Sequence, residues 1–237
     1  MMRAVSAPWV RRRACLWRAC AALLLAGGAA TMVSGCAGMV QAVLINAAPD
    51  LLATTFGDLS TRIEFKEAVP YIKARDWLGL TILARQKLEK EPNRGQWWQL
   101  AGYGHLQLGE TAVARDCFAR VTRLMPEDVA GWNMYAYTLR SMGDARGARA
   151  AVDKAIQTDP ASAPAFVILG ELHRDAGRVK PAIQAYERAL EIDGNEPLAW
   201  YGLGMLGKRY NQSDLYEKAR NTLRQINPPL AEQLEKA

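Results

Sequence analysis

The side chains of this chain that could do chemistry are few: two histidines, four cysteines and a set of evenly spaced cations. His105 and His173 carry no HExxH pattern, and the sequence holds no CxxC pair, no Gly-rich Walker loop and no nucleophile elbow. Asp and Glu are plentiful, as they are on any helical surface. No acid–base pair, nucleophile or ligand set is assembled, so the expectation is a protein without catalytic residues, metal or cofactor. Cys15, Cys20 and Cys36 fall early in the chain and Cys117 stands alone later. Arg140, Arg174 and Lys208 are spaced by 34 residues. Cations at a fixed step can grip carboxylates on one extended partner only if the fold itself repeats at that step.

The repeat is visible in the helix breakers. Pro92, Pro126, Pro160 and Pro228 fall on a 34-residue ruler, and Gly194 fills the gap. With these at position 32, units run 61–94, 95–128, 129–162, 163–196 and 197–230. Position 4 then reads Glu64, Trp98, Trp132, Phe166 and Trp200, and position 8 reads Ala68, Gly102, Ala136, Gly170 and Gly204. Position 15 reads Arg75, Gly109, Gly143, Gly177 and Asn211, and position 24 reads Ala84, Phe118, Val152, Tyr186 and Arg220. This pattern resembles the tetratricopeptide repeat family, most closely in the middle three units. The resemblance implies an all-α solenoid of about five helix-turn-helix units in a right-handed superhelix.

The residue types fit that architecture physically. A left-handed residue at position 15 ends the first helix, and Gly adopts it at little steric cost. Small residues let the paired axes approach, and aromatics fill what remains. One hairpin cannot bury both faces, so the units must stack. Trp98 is expected in the core, with Trp97 turned outward or packed on unit one. Residues 231–237 are expected to be polar and helix-prone, the fraying end of the terminal cap.

The resemblance also assigns the concave face to first-helix positions 2, 5, 9, 12 and 13. Asn133 and Tyr201 are at position 5, Tyr103 and Tyr137 at position 9, and Arg140, Arg174 and Lys208 at position 12. These seven are the candidate partner-binding residues. They describe a groove apolar and aromatic at one end and cationic at the other, suited to an extended peptide with acids or a terminal carboxylate. A second reading pairs the cations with Glu171 or Asp175 instead.

The N-terminal region sets a different expectation. Of 30 basic residues, five arginines lie before residue 36 with no acid among them, which leaves 25 against 24 acids. The basic excess therefore belongs to the leader and gives no support to a nucleic-acid partner. Residues 1–35 look like a secretory signal: Arg11, Arg12, Arg13 and Arg18 precede the uncharged run 19–34. Val33-Ser34-Gly35-Cys36 resembles a bacterial lipobox. That resemblance implies a diacylglyceryl thioether at Cys36, cleavage before it, and anchoring by acyl chains at about 0.8 kcal/mol per buried CH₂. An ordinary signal peptide or an uncleaved anchor is the alternative, and Arg12-Arg13 loosely resembles a twin-arginine signal. Ala37 after the cysteine favours the periplasmic face of the outer membrane. Residues 36–60 form an apolar capping or linker segment, with Met39, Val40, Val43 and Leu44 and then Leu51, Leu52, Phe56 and Leu59 at helical spacing. They pack either on the first repeat or in the lipid interface.

The expected function is that of a non-catalytic scaffold, lipid-anchored in the periplasm, that holds envelope proteins or peptides and assists pilus or secretion assembly. Recruitment of peptidoglycan hydrolases and a polysaccharide-export role are the alternatives. Homo-oligomerisation is compatible with all three.

Overall fold

Helix starts recur at a 34-residue step. In the computed structural model, which describes residues 65–237, helices begin at Gly95, Val129, Ala163 and Pro197, and their partners at Thr111, Ala145, Val179 and Ser213. Among the described residues the order is α1 (Val69–Lys73), α2 (Trp77–Lys90), α3 (Gly95–Gln107), α4 (Thr111–Leu124), α5 (Val129–Ser141), α6 (Ala145–Thr158), α7 (Ala163–Asp175), α8 (Val179–Ile192), α9 (Pro197–Arg209), α10 (Ser213–Ile226) and α11 (Pro228–Lys236). No strand occurs among the described residues. Each hairpin packs within itself and against its sequence neighbour, so the architecture is an all-α solenoid. The leader 1–35, Cys36 and the segment 36–60 lie outside the described residues.

The turn inside every hairpin is left-handed. Gly109, Gly143 and Gly177 have φ of +78°, +82° and +70°, and Arg75 and Asn211 hold the same place at +54° and +55°. Asn tolerates this region through its short polar side chain, whereas Arg75 carries the strain of a side chain beside a positive φ. The backbone N–H of the residue just after the turn bonds back into the first helix, as Glu110 N does to His105 O at 2.9 Å and Arg178 N to His173 O at 2.8 Å. That 6→1 bond closes a Schellman-type end.

The aromatic at position 4 is tied to the breaker at position 32. Trp98 Nε1 donates to Pro92 O, Trp132 Nε1 to Pro126 O and Trp200 Nε1 to Gly194 O, at 2.8, 2.8 and 2.9 Å. An indole that must reach a loop carbonyl sits at the rim, so Trp98 is only partly buried, under the Arg120 guanidinium. Trp98 is thus not the core residue expected, whereas Trp97 takes the second of its two expected places, buried and packed edge-on against Phe65 of unit one at 5.2 Å. The core runs along the hairpins in successive clusters, with Leu80, Leu100, Phe118, Val121 and Val152 sealed in one and Tyr186, Leu203 and Leu206 in the next.

The C-terminal end differs from the tail expected. Pro228 opens a real helix, α11, with Asn227 accepting from Leu230 N at its N-terminus. Leu230, Ala231 and Leu234 are buried against Leu223 and Tyr201. An apolar stripe at i, i+1 and i+4 inside a charged stretch is what makes these residues a lid rather than a fraying end.

Candidate functional site

First-helix polar groups form a line through the middle of the solenoid. Gln99 on α3 donates to Asp128 Oδ2 at 3.1 Å, and Asn133 on α5 donates to Ser162 Oγ at 3.1 Å. Both links tie position 5 of one first helix to the residue just before the start of the next. Burial pushes the Asp128 carboxyl above its ordinary range, and backbone N–H groups of Gly131 and Ala130 pull it partly back.

Two turns beyond Asn133 lies an ionic cluster. Arg140 pairs with Glu171 and, through Nε, with Asp175 Oδ2 at 2.7 Å. Arg174 sits 3.6 Å from Glu171 and 3.5 Å from Asp175. The Arg140 and Glu171 side chains are 7% and 8% exposed. Burial opposes the charge on both arginines, and the carboxylates outweigh it, so both guanidiniums hold their protons more firmly than usual. Two cations against two anions leave the cluster with no net charge. The tyrosines around it, Tyr137, Tyr186 and Tyr201, are raised above the ordinary phenol value, burial being the main cause in each.

Four of the seven candidate residues therefore come together on α5, α7 and α9: Tyr137, Arg140, Arg174 and Tyr201, with Asn133 upstream of them. The other two do not. Tyr103 lies in the core, edge-on to Trp77 at 5.4 Å, because unit one supplies a large ring opposite it. Lys208 is exposed on α9 and donates to Glu235 O at 3.0 Å, capping the carbonyl end of α11. The cations are thus not three like rungs. Two are inside an ion cluster and the third closes a helix.

Sequence reasoning missed two unsatisfied atoms, one on α5 and one on α8. Asn133 Oδ1 and the Tyr186 hydroxyl are buried without a hydrogen-bond partner. Only Asn133 has a sequence cue, a polar residue at an inner position. His105 contacts Glu110 at 2.5 Å in the turn after α3, and the His173 imidazole is held below its ordinary pKa, first by burial and then by Arg178 and Arg149. No group of metal-ligating side chains occurs among the described residues. None of the described helices is long and apolar enough to cross a membrane.

A family model described as "Tetratricopeptide repeat" matches residues 100–163 and 136–197. No curated protein matches the chain by sequence. Among solved structures, a thermophilic repeat protein of Thermus thermophilus aligns at 15% identity and TM-score 0.64, over 72% of this chain and 95% of its own. YrrB, described as a repeat protein "with an unusual peptide-binding site", aligns at 16% identity and TM-score 0.51, over 72% and 89%. MamA of Desulfovibrio magneticus aligns at 18% identity and TM-score 0.54, over 72% and 92%. With the 34-residue helix pairing and the family match across residues 100–197, these place the described chain in the tetratricopeptide-type solenoid fold.

Proposed function

We propose that this protein is a non-catalytic scaffold that binds an extended peptide segment of another protein along the inner face of α5, α7 and α9. The observation that carries the reading is Asn133. One end of its amide is tied to Ser162 and the other is buried and unsatisfied, two helical turns before the neutral Arg140–Glu171–Arg174–Asp175 cluster. A buried polar atom without a partner is costly, roughly 1–3 kcal/mol, and a peptide N–H would relieve it. The cluster's zero net charge favours recognition of the peptide backbone over an acidic tail. The peptide-binding site described for YrrB, a protein of the same fold, is consistent with such a use.

The location we propose rests on the sequence alone. The lipobox-like Val33–Cys36 and the apolar leader support a chain acylated at Cys36 and held on the periplasmic face of a bacterial outer membrane. Its partners there would be envelope proteins, with pilus or secretion assembly as the process.

The test is capture from envelope extracts by the full chain and by an Asn133→Ala, Arg174→Gln variant. Arg174 is chosen because Glu171 keeps Arg140 when it is removed, so the fold survives, as a thermal melt would verify. Loss of the captured proteins supports the inner face; the same proteins recovered by a folded variant would refute it. Labelling with a radioactive fatty acid should mark the wild type and not Cys36→Ser. An unlabelled wild type would remove the membrane half while leaving the peptide site standing.

A further inference from the structure

The groove between α2 and α4 breaks the repeat. Helix α3 packs on both of them and forms its floor. At repeat position 7 that floor carries Ala101, where the next three units carry Tyr135, Leu169 and Leu203. The small side chain leaves a hollow of about 550 Å³. One wall departs from the pattern too. Position 18 is Leu78 in unit one but Ala112, Arg146, Lys180 and Asp214 afterwards. Position 22 is Ile82 there, then Asp116, Ala150, Gln184 and Lys218. Leu78, Ile82, Leu108 and Val113 edge the hollow and are 40–60% exposed. Scattered exposed apolar residues need no explanation, but four around one depression do.

We infer that this groove receives an amphipathic helix of a different protein, with an apolar row on those four residues and an acid and a base opposite Arg85 and Glu89. Shape selects a helix. The α2 stripe from Leu78 to Glu89 rises about 16 Å, or about three turns. Two helices flanking a third leave a trough in which a further helix packs at the usual roughly 8–10 Å. An extended segment would bring unpaired N–H and C=O groups against helices whose own backbone groups are already bonded, whereas a helix arrives with its bonds made. A small molecule would stay wet between walls this open, since small-ligand sites enclose about 70–90% of their ligand.

Charge sets the flanks of the occupant. Arg85 and Glu89, one turn apart on α2, are exposed and pair with nothing among the described residues. Glu110, at the same hollow, is engaged by His105 at 2.5 Å. The rim thus offers one cation and one anion at i and i+4, which an acid and a base at the same step complement. A second copy of this chain fits poorly. The large apolar residues exposed away from the hollow, Met142 and Tyr210, stand singly on the described surface and make no row. The groove also goes beyond the inner-face site, because α5, α7 and α9 contribute nothing to it.

The probe is a fluorescent alanine-based peptide of about four turns, with leucines at i, i+4 and i+7 and a Glu–Lys pair beside that row. Its anisotropy is followed against the full chain in detergent, with a scrambled peptide as the control. Ala101→Leu fills the hollow with the side chain that units four and five carry there, and Ile82→Glu charges its wall. Each should weaken binding about tenfold or more with the melting curve intact, since one buried apolar contact is worth that much in Kd. Arg85→Glu should weaken it severalfold, and a peptide with its glutamate changed to lysine should restore it to that variant alone. No binding above the Ala101→Leu background would overturn the inference. So would equal binding of the scrambled peptide, or equal affinity for folded Ile82→Glu. A concentration-dependent dimer abolished by Ala101→Leu would assign the groove to a second copy and likewise overturn it. Each of these results leaves the inner-face site standing, because no residue is shared.

Discussion

Replacing Arg140 with methionine strands Glu171 inside the solenoid with only Arg174, 3.6 Å away, for company. Breaking a buried pair from one side costs about 3–5 kcal/mol, because the remaining charge stays desolvated. Urea denaturation of Arg140→Met should show a loss of that order, and adding Glu171→Gln should recover part of it. A loss under about 0.5 kcal/mol, the scale of a surface change, would mean the cluster is hydrated in solution. Cys117 gives a second prediction at this scale. Burial pushes its thiol from the ordinary 9.0 up to about 11, with Asp116 adding to the shift. The folded chain keeps this proton where the unfolded chain has lost it, so stability falls as pH rises from about 9 towards about 11. Cys117→Ala should remove that share of the fall between urea midpoints at the two pH values. Spacing put Arg140 and Arg174 at one repeat position, and the family resemblance assigned that position to the inner row. The second reading, which paired the cations with Glu171 or Asp175, holds for Arg140 and Arg174 but not for Lys208; sequence could not choose between the readings because Arg140 reaches both acids from α5, a whole unit away.

At the scale of single elements, the repeat's consensus becomes a hydrogen bond. Position 4 and position 32 are coupled through indole Nε1 and a loop carbonyl in three units. Unit four has Phe166 and cannot make the bond. Trp132→Phe should cost about 0.5–1.5 kcal/mol, the usual net worth of one such bond. Phe166→Trp should gain a similar amount by reaching Pro160 O. Thermal melts of the two variants moving in opposite directions would support the coupling, and a destabilised Phe166→Trp would contradict it. The helix pairs and their turns were legible because period, breakers and left-handed positions are local. The ranking of Trp97 and Trp98 was not, because it depends on Phe65, which is distant in sequence and sits in the least regular unit. Tyr186 shows the same limit. Its ring fills the space left by Gly170 on α7, where an added Cβ would come within 2.6 Å of it, and it also overlaps any side chain at Gly202 on α9. Position 24 predicted an aromatic, but only packing shows that it wedges two first helices at once.

For the whole molecule, stability is a sum over neighbours, and the ends have to be closed. Helix α11 closes one end: it covers Leu223 and Tyr201 and accepts Lys208 on its terminal carbonyls. Deleting residues 228–237 should expose that apolar surface. Hydrogen exchange should then quicken in α9 and α10 first, while α3 to α6 keep their protection. Uniform loss of protection along the chain would instead indicate a single cooperative unit. The sequence read the stretch as polar because charged and amide side chains surround three inward apolar ones, and composition averages over both faces.

The missing indole bond at Phe166 has a mechanical corollary. Where the hairpins of units one and two, two and three, and four and five meet, a neutral pin fixes the entry of the incoming helix. Between units three and four the pin is absent, and charged groups from α5 and α7 clasp the seam instead. A rod assembled from near-copies thereby acquires one joint of different compliance, held by opposite charges in a dry setting, and bending of the solenoid should concentrate there.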